Sequence, residues 1–138
     1  MPNSAPLGPA TVGVRAGAKE IASGTVTISR SGPGIFVTQP ADPSQPGAIL
    51  NQDGTLNGQA NPAVSGSIVQ IFATGYGGQP VQVYFAEQPA EVIFSGPHSQ
   101  FAGLWQVNAR IPAGLTGQVS GVFFSDTLPS NGVTVWVR

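Results

Sequence analysis

The single histidine, His98, sits in Ser95-Gly96-Pro97-His98-Ser99. An imidazole near serine hydroxyls is the minimum for nucleophilic hydrolysis, because the ring can take the hydroxyl proton. No nucleophile-elbow sequence occurs in the chain, so His98 reads as a solvated loop residue. Glu87 and Glu91 flank Gln88-Pro89-Ala90. Converging on one bond they would be the carboxylate pair of a glycosidase; at a turn they read as surface charges. Asn51, Asp53, Thr55 and Asn57 place side-chain oxygens at alternate positions around Gly54, as in a calcium loop. The further carboxylates and closing glutamate of such a loop are missing, and Asp53-Gly54 accounts for a two-residue hairpin turn without an ion. Tyr76, Tyr84, His98, Trp105 and Trp136 offer aromatic faces on which sugar rings stack, with Tyr76 and His98 as the candidate glycan contacts. The competing assignment puts Trp105 and Tyr84 in a sandwich core. Gly75-Tyr76-Gly77-Gly78 lacks the lysine that follows a phosphate loop and reads as a mobile or tight loop presenting one aromatic. The absence of cysteine removes thiolate ligands and nucleophiles. The expectation is therefore no catalytic residue, no cofactor and no metal, with residues 51, 53, 55 and 57 as the one candidate ligand set.

Composition narrows the partners. The 138 residues carry five basic and six acidic side chains, net −1, where an ordinary domain is about one-quarter charged. Phosphates are held by a positive field that this chain lacks, which sets nucleic acid aside. No window approaches the roughly 18 apolar residues of a membrane span. Met1-Pro2-Asn3-Ser4 has neither the basic nor the apolar region of a signal peptide, so the chain either is not exported by that route or begins after processing or at a boundary, the last being the preferred reading.

The elements that must position these residues are strands. Short alternating segments recur between Gly, Pro, Asn and Asp, and no long stretch keeps a helical period. The pattern predicts strands at Thr11–Ala16, Gly24–Arg30, Gly34–Thr38, Ala48–Asn51, Ser67–Thr74, Val81–Ala86, Glu91–Phe94, Leu104–Ile111, Val119–Ser125 and Gly132–Val137. Ser67–Thr74 is apolar on nearly both sides and so central. Leu104–Ile111 alternates cleanly, with Trp105, Val107, Ala109 and Ile111 inward. In Val133–Val137 the valines share one face, which leaves Trp136 on the other as an exposed or interface aromatic. Gln39–Pro46, with three prolines, is a connector.

A partial internal repeat divides the chain. Ile21–Ile28 aligns with Leu128–Val135 at an offset of 107, and Thr11–Ala16 with Val119–Phe124 at 108. Residues 7–30 then read as the last hairpin of a module whose other strands are absent, followed by one whole module.

Several segments resemble a known family. Ser31-Gly32-Pro33-Gly34-Ile35-Phe36, Gly47 to Asn57, Asn61-Pro62-Ala63, Ile71 to Gly77, Pro89-Ala90-Glu91-Val92 and Gly103 to Pro112 occur in the order found in the Solibacter-type C-terminal module family of acidobacterial secreted proteins. The resemblance covers about residues 7 to 138. Tyr76 departs from it, standing where the family has a small aliphatic residue. The resemblance implies an immunoglobulin-like module, extracellular and without established catalytic activity, preceded by a hairpin that closes an earlier repeat.

The expected fold is thus all-β: an immunoglobulin-like antiparallel β-sandwich over residues 31–138, preceded by an N-terminal β-hairpin within residues 1–30. Sandwich edges are usually blunted by Lys, Pro or inward charge. This chain has one lysine, Lys19. Its edges therefore read as unprotected, and an isolated hairpin is marginal in water. The functional expectation is a non-catalytic extracellular structural module. Its hairpin either folds back on its own module or docks on a neighbouring copy; the leading expectation is docking, through Val12, Val14, Val26, Ile28 and Trp136, in a head-to-tail and filamentous assembly. The alternative is a carbohydrate-binding or adhesion accessory module, with a polysaccharide or cell-surface partner.

Overall fold

The computed structural model describes residues 5–138; Met1–Ser4, read above as a processing site or boundary, lies outside the described residues. The chain forms two compact units, residues 1–30 and 31–138. The first is a two-stranded antiparallel ribbon of β1 (Gly8–Ala16) and β2 (Lys19–Ile28). The second contains β3 (Gly34–Ile35), β4 (Ile49–Leu50), β5 (Ile68–Thr74), β6 (Val81–Phe85), β7 (Gln88–Pro97), β8 (Trp105–Arg110), β9 (Gly117–Ser125), β10 (Leu128–Pro129) and β11 (Val133–Val137).

Two layers arise because one strand pairs in both. The start of β7 pairs with β6 (Val83 opposite Ala90), and its remainder pairs with β8 (Glu91 opposite Arg110). A bulge between Val92 and Phe94 bends the strand there, the usual device by which a strand turns a sandwich corner. One layer is therefore β3 and β4 beside β5, then β8 and the end of β7; the other is the start of β7, then β6, β9, and β10 and β11. Every pairing between strands is antiparallel, and only the isolated bridges Pro46–Thr134 and Ala63–Val137 run parallel, so the fold is the expected antiparallel sandwich preceded by a hairpin.

Alternation fills the space between the layers. Val69, Ile71 and Ala73 of β5 and Trp105, Val107 and Ala109 of β8 face inward and are buried, as are Val83 and Phe85 of β6, Phe123 of β9 and Val135 of β11. The Trp105 ring meets Phe123 edge-on at 4.9 Å, and its indole N–H donates to Ser95 Oγ at 3.0 Å. A side chain of this kind fully buried is worth about 1.5–3 kcal/mol. As expected, β5 is central, flanked by β8 on one side and β3 and β4 on the other.

The module's edges differ from the expectation of unprotected strands. Thr134, Trp136 and Arg138 turn their backbone groups away from β9, and every one of those groups is taken. Thr134 N–H donates to Gln45 O, and its carbonyl accepts from Gly47 N–H. Trp136 N–H donates to Asn57 Oδ1 at 2.9 Å, and its carbonyl accepts from Asn57 Nδ2 and Ala63 N–H. Arg138 N–H donates to Ala63 O, and its carbonyl accepts from Ser65 N–H. The Gln39–Pro46 connector thus serves as an edge cover. On the other layer, the Asn131 amide pairs in the same two-pronged way with the N–H and carbonyl of Ile35, at 2.7 and 3.1 Å. Irregular backbone and two asparagines replace the missing charges.

Two local expectations are also corrected. At Asn51–Thr55, Gly54 alone has positive φ (81°), Gly54 N–H donates to Asn51 O, and Asn51 N–H donates to Thr55 O. This is a type I turn followed by a glycine bulge, not a two-residue hairpin turn. The repeat has a single offset of 109, and it lies in the pairing. Gly8–Ile28, Ala10–Val26, Val12–Gly24, Arg15–Glu20 and Ala16–Lys19 match Gly117–Val137, Val119–Val135, Gly121–Val133, Phe124–Pro129 and Ser125–Leu128. Both hairpins carry one extra residue on the second strand at the same place, positive φ at the same turn position (Gly17 60°, Asp126 56°) and a positive-φ glycine at the start (Gly8, Gly117).

Candidate functional site

Directly opposed residues of an antiparallel pair project to the same side. In the ribbon, Gly8–Ile28, Ala10–Val26, Val12–Gly24 and Val14–Ala22 therefore share one face, and Pro9–Thr27, Thr11–Thr25, Gly13–Ser23 and Arg15–Glu20 the other. The first face is wholly apolar and the second largely polar. Every residue from Thr11 to Thr27 is exposed, including Val12 at 47%, Val14 at 52% and Val26 at 38%, and Ile28 is half-buried. In the matching hairpin β9–β11, the same face is the core: Val119 is 8% exposed, Phe123 and Val135 are fully buried, and Val137 is 3% exposed. The expected contact residues Val12, Val14, Val26 and Ile28 thus lie together on an uncovered sheet face. Trp136 is a half-buried residue of the module whose backbone is engaged by Asn57 and Ala63.

The other candidate residues are dispersed, because alternation sends neighbours to opposite faces. Tyr76 is 41% exposed and leans on Trp105 at 5.2 Å, in a loop whose Gly75 accepts from Gly32 N–H. His98 stacks between Phe72 (6.1 Å) and Phe101 (5.2 Å), and its Nδ1 accepts from Gln100 N–H. Tyr84 is not a core residue: it lies half-buried on the outer face of the other layer, edge-on to Phe124. Glu91 pairs with Arg110 Nε at 2.9 Å, and Glu87 occupies a positive-φ turn position.

The candidate ligand set is a hydrogen-bonded turn. Asp53 Oδ1 accepts from Thr55 N–H and Oγ1, and Asn51 Oδ1 accepts from Asn57 Nδ2. Asn57 Oδ1 is spent on Trp136 N–H. Arg138 lines a cavity of about 460 Å³ together with Asn51 and Asp53 and brings a positive charge to it. The Thr55 bonds hold the Asp53 carboxyl below the ordinary 3.8, and Ser44 N–H and Oγ do the same for Asp42.

An aromatic surface lies where strand alternation gives no signal. The outer face of the β5–β8–β7 layer carries Phe72, opposite Gln106, and Phe94, opposite Asn108, with Gln70 also opposite Asn108. Phe36 follows Ile35, donates its N–H to Phe72 O and is 45% exposed, as is Phe94; Phe101 is 61% exposed. The Phe94 ring lies over Gly96, and a Cβ there would have to push the tip of the ring aside. Ionised side chains on this face are confined to its Arg110–Glu91 end.

Among the described residues, no group of three or more His, Cys, Asp or Glu side chains is placed to hold a metal, and no helix is long and apolar enough to cross a membrane. The chain matches no protein-family model, no curated protein and no solved structure.

Proposed function

We propose that the chain is a non-catalytic structural and interaction module that associates head-to-tail with copies of itself through the apolar face of the β1–β2 ribbon. The uncovered face of Val12, Val14 and Val26 carries this reading. Apolar side chains gathered on one side of a two-stranded ribbon gain about 25 cal/mol for each Å² they remove from water, and a lone ribbon is marginal without that gain. A contact between unlike surfaces that does not close on itself propagates, so a filament is the natural product. An extracellular setting and kinship with the Solibacter-type module family belong to the same reading and rest on the ordered motifs from Ser31 to Pro112. The test is the mass in solution of the whole chain against residues 31–138. The whole chain is expected to associate and the shortened chain to stay monomeric; the same oligomer from both would refute the role of the ribbon.

A second reading, a carbohydrate or adhesion accessory module, is favoured by the Phe72–His98–Phe101 ring cluster and by the amides of Gln70, Gln106 and Asn108. Polysaccharide binding that falls on His98→Ala or Tyr76→Ala would support it, and absence of binding to any glycan would remove it.

A further inference from the structure

We infer that the ribbon of one copy seats on the outer face of the β5–β8–β7 layer of the next, with Phe36, Phe72 and Phe94 as anchors; this rests on the self-association proposed above. The argument begins with the shared pairing pattern. In β9–β11 the face that corresponds to the ribbon's apolar face packs across the sandwich on a sheet bearing large side chains, with Phe123 against Trp105. Val119, Phe123, Val133, Val135 and Val137 of the closing hairpin are all buried by that packing. At the matching positions the ribbon carries Val14 where the closing hairpin has Phe123, and Val12 opposite Gly24 where it has Gly121 opposite Val133. An apolar face of Ala, Val, Ile and Gly residues fits a sheet of large, uncharged side chains.

The outer β5–β8–β7 face has this character. Phe36 and Phe94 stand exposed, Phe72 is half-buried between them, and the centre holds amides without net charge. Neither surface repels the other electrostatically, and the two are unlike each other, so the contact is heterologous and each copy offers both halves. Strands of nine and ten residues give a ribbon face about 30 Å by 10 Å. A footprint near 300 Å² lies well under the roughly 800 Å² per partner of a standard interface. The contact is therefore weak singly and forms at high protein concentration.

The experiment measures mass-average molecular weight by sedimentation, from about 10 μM to 1 mM, on four full-length chains: native, Val12→Lys, Phe94→Lys and Gln70→Lys. Thermal unfolding of each serves as the folding control, and Gln70→Lys replaces Phe94→Lys should the latter unfold. The native mass is expected to climb with concentration, and each variant to weaken association at least tenfold. Val12→Lys keeps a sound receiving face and Phe94→Lys a sound ribbon, so their mixture is expected to form a 1:1 dimer and go no further. A native chain that stays monomeric refutes the self-association on which the inference rests. Association blocked by Val12→Lys but untouched by both face variants leaves self-association standing and overturns the receiving face, in favour of ribbon-on-ribbon pairing or another acceptor sheet.

Discussion

Val14 and Phe123 occupy the same place in the same pairing pattern, 109 residues apart, yet Phe123 is sealed against Trp105 while Val14 is half exposed. Around them the two hairpins agree in register, in the position of the extra residue and in the sign of φ at the turn. They part in what lies above the apolar face and along the edge. The closing hairpin has an opposing sheet and a complete edge cover from Gln45, Gly47, Asn57, Ala63 and Ser65. The ribbon keeps its apolar face uncovered. Turn chemistry and register therefore define a hairpin locally, whereas burial of its face depends on what is brought to it.

The comparison breaks most sharply at that matched pair. Phe123→Ala is expected to cost about 3–5 kcal/mol in denaturant unfolding of the module, because a ring is lost from beside Trp105. Val14→Ala, measured at low concentration, is expected to change stability by less than about 0.5 kcal/mol. Equal losses at both sites would mean that the ribbon face is already buried in the monomer.

The edge cover gives the next largest effect. Asn57→Ala removes both prongs on Trp136 and the bond to Asn51, with an expected loss of about 1–3 kcal/mol and faster hydrogen exchange at Trp136. An unchanged exchange rate at Trp136 would show that Ala63 and the Gln45–Gly47 strap suffice alone.

Acid titration gives the smallest effect. Hydrogen bonds from Ser44 and Thr55 depress the carboxyls of Asp42 and Asp53 in the folded state, so their contribution is complete above the ordinary value of 3.8 and is lost as pH falls through the lower folded values. Stability of residues 31–138 is expected to be flat from neutral pH to about 5 and to decline slightly below about 4. Asp42→Asn and Asp53→Asn together should flatten that decline.

What was legible in the sequence follows the range of the interaction that encodes it. Alternation is local, so Trp105–Ile111 announces its inward face, the central place of β5 follows from its two apolar sides, and Val12, Val14, Val26 and Ile28 are found as one face. The asparagine clamps are not local: Asn57 meets Trp136 across 79 residues and Asn131 meets Ile35 across 96, with no pattern in either flank. The strand that joins the layers reads in the sequence only as Glu91–Phe94, because its bulge at Val92/Phe94 interrupts the alternation that marks a strand. The same interruption hides Phe94 as an outward residue, and Phe36 and Phe101 stand beside or beyond the short elements where periodicity has no length to act. Asp53-Gly54 marks the place of the turn but not its type, since one positive φ, at Gly54, serves where a two-residue hairpin needs two.

Hydrogen exchange of the two hairpins in one sample, followed from dilute to concentrated protein, tests the central claim most directly. The amides of Gly117–Val137 are expected to stay protected throughout, while those of Gly8–Ile28 exchange quickly when dilute and slow by at least tenfold as the copies associate. Ribbon exchange that does not change with concentration, whether fast or slow, would contradict the assignment of its apolar face to a second copy.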